Sequence, residues 1–112
     1  MVITFRQRKL QRVVNDTRKL EATYGARMAK LIQRRLLVLE AADNLSQIPP
    51  RGPLRLHQLF GDRAGQFSVD LVHPYRLVFV PNHEPVPTTH DGGIDRTRVT
   101  DITVIGILDT HQ

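Results

Sequence analysis

The chain has 112 residues, 40% of them apolar and 24% charged, with no cysteine. That is the length of one domain with one modest core, since a chain of this size buries roughly two-thirds of its unfolded surface, and it excludes disulfide scaffolds, thiolate metal sites and thiol nucleophiles. The net charge of +5 is uneven: residues 1–56 carry twelve Lys/Arg against four Asp/Glu and residues 57–112 four against seven, so the N-terminal half suits a polyanion, an acidic protein or a solvated basic surface.

Val2–Phe5, β-branched and aromatic, is expected to form an edge strand. Leu10, Val13, Val14 and Leu20 recur at helical spacing and predict one helix from about Arg6 to about Ala22, with Arg8, Arg12, Asp16 and Lys19 on its solvated face. Tyr24-Gly25 reads as a junction, because glycine tolerates the conformations that end a helix. A second helix is expected from about Ala26 to Asn44, with Met28, Ile32, Leu36 and Leu39 on one stripe. Arg27, Lys30 and Arg34, at i, i+3 and i+7, make a positive stripe on that helix, either a phosphate-facing surface or an ordinary exposed face.

The three prolines of Ile48–Pro53 make a connector, since they lack the donor and fix φ. If Leu54–Leu59 continues as a strand, Arg55 and His57 project together. Gly61–Gly65 is a polar turn, and Gln66–Val72 and Tyr75–Val80 form a hairpin through His73-Pro74, where His73 reads as a surface turn residue. Phe67, Val69, Leu71, Leu77 and Phe79 are expected to meet the helices. Arg76 then points to the other face, where it pairs internally with Asp70 or Asp62, or holds an external anion.

Pro81–Thr97 reads as a long surface loop; its His83, Glu84, His90 and Asp91 match no zinc spacing. Val99–Leu108 is the closing strand, with Thr103, Ile105, Ile107, Asp109 and His111 on one parity. No run approaches the roughly 20 apolar residues of a membrane span and no apolar leader is visible, so a cytoplasmic protein without a membrane partner is expected.

His57, Arg76, Asp109 and His111 offer imidazoles for proton transfer, a guanidinium matched to phosphate, and a carboxylate able to orient an imidazole. Such chemistry requires no metal.

The order Arg55, His57, Leu59, Gly61-Asp62-Arg63, Gly65, Phe67-Ser68-Val69-Asp70, Arg76-Leu77 and Phe79, closed by Asp109-Thr110-His111, resembles the HigB-type killer toxins of the RelE/ParE superfamily over essentially the whole chain. The resemblance implies a single α+β domain over residues 1–112, an N-terminal strand and a helical hairpin packed on a small, mainly antiparallel twisted sheet. It implies a type II toxin that cuts messenger RNA on the ribosome, uses no cofactor, and is neutralised by a HigA-type helix-turn-helix antitoxin through which the complex reaches operator DNA. On the same basis His57, Arg76, Asp109 and His111 are the expected catalytic set, and Arg55, Arg63, Arg27, Lys30 and Arg34 the expected RNA contacts. Arg63 is equally placed to brace its own turn against Asp62.

The chain departs from that pattern twice. Phe60 stands where a lysine often precedes Gly-Asp-Arg, and Thr110 where a tyrosine often separates the tail Asp and His. The first removes a cation and the second a ring on which a base stacks; Phe60 is a candidate replacement surface. Two other readings therefore stay open: a non-catalytic module that occupies a target such as DNA gyrase, and a degenerate member kept to bind its antitoxin.

Overall fold

The computed structural model describes residues 1–110, so His111, one of the expected catalytic residues, lies outside the described residues. The chain runs β1 (Val2–Phe5), α1 (Arg8–Val14), α2 (Thr17–Tyr24), α3 (Ala26–Ala41), β2 (His57–Gln58), β3 (Phe67–Asp70), β4 (Tyr75–Pro81) and β5 (Asp101–Asp109). The strands form one sheet in the order β1-β5-β4-β3-β2, antiparallel except for the parallel pair β1–β5. This is the expected α+β arrangement, with β1 at an edge.

The expected first helix is broken in two. Asp16, placed on a solvated face by periodicity, caps α2 instead: its Oδ1 accepts from the backbone N–H groups of Arg18 (3.0 Å) and Lys19 (3.2 Å). A capping carboxylate satisfies donors that a continuous helix would direct at carbonyls, so the chain restarts there. Gly25, at φ 84°, ends α2 and begins α3, a conformation that side-chain-bearing residues rarely adopt.

Helices and sheet share one core, in which Leu20, Ile32, Leu39, Phe67, Val69, Leu77, Phe79, Ile102 and Val104 are fully buried. The expected inward face of the β3–β4 hairpin is observed, and the Phe67 and Phe79 rings stack with centroids 6.1 Å apart. The closing strand does not keep a single parity. A bulge between Val78 and Phe79 pairs Val78 with Gly106 but Phe79 with Val104, so Ile105 is the extra residue. Ile102 and Val104 face the core before it and Ile107 after it, which re-aims the end of the strand.

The loop after β4 is tied down. Thr88 bridges Ile94, Arg98 reaches Asp95 (3.0 Å) and the Thr88 carbonyl (3.1 Å), and Arg96 lies 5.2 Å over the Phe67 ring while donating to Gln58 Oε1 (3.0 Å). His83 Nε2 accepts from the N–H groups of Thr100 (3.0 Å) and Asp101 (3.2 Å). Among the described residues no group of three His, Cys, Asp or Glu side chains is placed to hold a metal ion, and no helix is long and apolar enough to cross a membrane.

Candidate functional site

The outward face of the sheet, opposite the helices, carries Asp70 at the end of β3 and Arg76 directly across from it on β4. Arg76 Nε lies 3.3 Å from Asp70 Oδ1, so of the two internal partners considered for Arg76, Asp70 rather than Asp62 is the one the structure pairs with it. Two more side chains converge on the same carboxylate: His57 Nε2 at 3.5 Å from Oδ1 and Arg55 Nε at 3.6 Å from Oδ2.

Each of the three arrives by a different local route. His57 sits on β2 opposite Ser68, two residues from Asp70 on the same face of β3. Arg55 precedes the strand with φ 49°, the one non-glycine residue with positive φ among those described, so it meets His57 through a left-handed backbone and not by strand alternation. A side chain held in that sparsely populated region is stabilised by its surroundings, and here the neighbouring Leu54 carbonyl is fixed by the Asp70 N–H at 2.7 Å. Arg76 is fixed by the hairpin and by its Nη1, which donates to Thr110 Oγ1 at 3.1 Å.

Beneath the cluster lies a residue that periodicity did not single out. Arg35 of α3 is 8% exposed; its Nε donates to the Asp70 carbonyl (2.8 Å) and its Nη2 to the Pro53 carbonyl (3.2 Å). Burial pulls its pKa down and Asp70 opposes that pull; a guanidinium remains charged throughout. A signal was present in the sequence, because Arg35 falls at helical spacing between Ile32 and Leu39, on the apolar stripe.

His57 is held below its usual pKa, first by burial and then by the positive charge of Arg76, with Asp70 acting in the opposite direction. A neutral imidazole can take up a proton at its unprotonated nitrogen. Beside it Arg55, Asp70, His73, Tyr75 and Arg76 line a polar recess of about 180 Å³. His73, expected on the surface of the turn, is exposed and also belongs to this recess.

The Thr110 hydroxyl that Arg76 holds also lines a second recess, of about 340 Å³, with Leu59, Phe60, Gly61, Asp62 and Arg63. Phe60 is 79% exposed on its rim. Arg63 donates to Gln66 Oε1 at 3.1 Å, so its observed brace is Gln66. Asp109 stands opposite Tyr75, one residue out of phase with Arg76 and Leu108. Arg27, Lys30 and Arg34 are exposed on α3. The arrangement brings two guanidinium groups and an imidazole around one carboxylate.

No protein-family profile and no curated protein sequence matches the chain. Solved structures do. A YoeB/ParE toxin from Agrobacterium tumefaciens superposes with a TM-score of 0.59 at 15% identity, over 99% of this chain and 100% of that one. A YoeB–YefM complex from Staphylococcus aureus does so with a TM-score of 0.57 at 16% identity, over 100% of this chain and 98% of that one. The chain shares the fold of these two solved structures.

Proposed function

We propose that the chain is the toxin of a type II toxin–antitoxin pair, of the HigB type, and that it cuts messenger RNA on the ribosome. The observation that carries this reading is the convergence of Arg55, His57 and Arg76 at one end of a toxin-fold sheet. Neutral His57 takes the proton of the attacking 2′-hydroxyl. Arg76 and Arg55 offset the charge that builds on the phosphate in the transition state, as preorganised cations do when water is excluded. The acid that protonates the leaving 5′-oxygen is His111 of the tail; Asp109, expected to share that role, stands opposite Tyr75 and out of phase with Arg76, so it is not assigned a step at this cluster. Arg63 and the Arg27/Lys30/Arg34 stripe contact RNA farther from the scissile bond, and Phe60 stacks on a base. A HigA-type antitoxin binds the toxin in the cytoplasm and links it to operator DNA; the Staphylococcus aureus neighbour, solved with YefM, supports a protein partner.

A second reading, a module that occupies its target without cutting, draws support from Asp70. That carboxylate supplies the arginines with an internal anion, so the cluster is stable without substrate. The test is induction of the chain without antitoxin, with mapping of RNA 5′ ends and an in vitro assay on programmed ribosomes. Fragments that vanish in Arg76→Ala support the nuclease; arrest in both forms with intact RNA supports the binding module.

A further inference from the structure

Asp70 has no step in the chemistry proposed above, yet the cluster is built around it. Its Oδ1 faces His57 Nε2 and Arg76 Nε, its Oδ2 faces Arg55 Nε, and its backbone is pinned on both sides, the N–H by the Leu54 carbonyl and the carbonyl by Arg35. We propose that Asp70 is the positioning residue of this site: it holds His57 as the Nε2–H tautomer and leaves Nδ1 as the proton acceptor, while the same oxygen seats Arg76. The catalytic part rests on the RNA-cleaving reading; the tautomer does not.

A neutral imidazole has one nitrogen that donates and one that accepts. His57 Nε2 is buried, with no hydrogen bond of good geometry among the described residues, and a carboxylate oxygen of Asp70 lies 3.5 Å from it. A lone pair on that nitrogen would face the lone pairs of Oδ1 in a place that water does not reach. A proton there turns the repulsion into attraction, so it resides on Nε2. Arg76 cannot serve as the alternative partner of Nε2, because a guanidinium only donates.

Nδ1 removes the 2′-hydroxyl proton as that oxygen bonds to phosphorus; the bond from phosphorus to the 5′-oxygen breaks and that oxygen is protonated by the acid. His57 becomes an imidazolium whose Nε2–H already faces a carboxylate, so Asp70 stabilises the charge as it forms. Among the described residues, the charged groups around the ring are Arg55 from the segment before β2, Asp70 from β3 and Arg76 from β4, and of these Asp70 favours the imidazolium.

The experiment is long-range ¹H–¹⁵N NMR of the histidine rings in the whole protein, paired with cleavage on programmed ribosomes, for wild type, Asp70→Asn and Asp70→Glu. The wild-type His57 ring is expected as Nε2–H above its titration. In Asp70→Asn the ring moves to Nδ1–H or a mixture, its titration moves to lower pH, and cleavage falls about 100-fold or more; Asp70→Glu recovers the Nε2–H form and part of the rate. A wild-type ring found as Nδ1–H overturns the proposal even if neither variant folds. So does a ring whose tautomer and titration are unchanged in Asp70→Asn. A tautomer that switches as expected in a protein that cuts no RNA leaves Asp70's role standing and removes the nuclease reading.

Discussion

Asp70 and Arg76 face each other across β3 and β4, with carboxylate and guanidinium 3.3 Å apart, on the face of the sheet that the helices leave free. Two strands that pair in register thus place an anion and a cation side by side. The pair is partly exposed, 24% for Asp70 and 15% for Arg76.

Arg76→Ala removes the cation nearest the carboxylate and the donor to Thr110. Cleavage on programmed ribosomes is expected to fall on the order of 10²–10³-fold, the usual cost of losing one preorganised stabilising group. End mapping of RNA from induced cells checks it.

Arg35→Met keeps length and apolar bulk but leaves two carbonyls, those of Asp70 and Pro53, without the donor they now have. The expected loss of stability is about 1–3 kcal/mol, the range for an unsatisfied buried polar group. Urea unfolding checks it, with a lower midpoint at unchanged slope.

Between neutral pH and the acid side, His57 makes stability depend on pH. Its folded pKa is below the unfolded value, so the unfolded chain binds more protons as pH falls. Its contribution is therefore complete above the unfolded pKa, about 6.5, and is lost as pH drops through that value toward the lowered folded one. His57→Gln is expected to flatten this part of the profile, read as urea midpoints between pH 7.5 and about 5. Wild-type cleavage is expected to keep its rate down to a lower pH than an ordinary histidine base would allow.

Phe60→Ala touches a side chain that is 79% exposed and leaves stability unchanged. If a base stacks there, affinity for single-stranded RNA drops by about 1–3 kcal/mol, roughly 5- to 150-fold. Equilibrium binding at fixed salt checks this, and an unchanged affinity removes Phe60 from the RNA surface.

Much of this protein is written in local pattern. The inward face of β3 and β4, the apolar stripe of α3 and the glycine junction after α2 follow from periods of two and 3.6 and from the backbone freedom of Gly25. The convergence of Arg55 and His57 was legible as well, although the strand alternation invoked for it does not extend to Arg55, whose backbone is left-handed.

What tertiary structure alone decided is which charges meet. Asp70 and Asp62 were equal partners for Arg76 by composition, and strand register chose Asp70. Arg35 lies beside Arg34 in the chain, but one helical step of about 100° separates a solvent-facing charge from a buried one that clamps two carbonyls. The bulge at Ile105 needed a partner strand to exist at all, and it places Thr110, not Asp109, in phase with Arg76. Periodicity reports which side of its own element a residue occupies. Pairing across elements depends on register, and register is set by how the whole sheet buries its inner face.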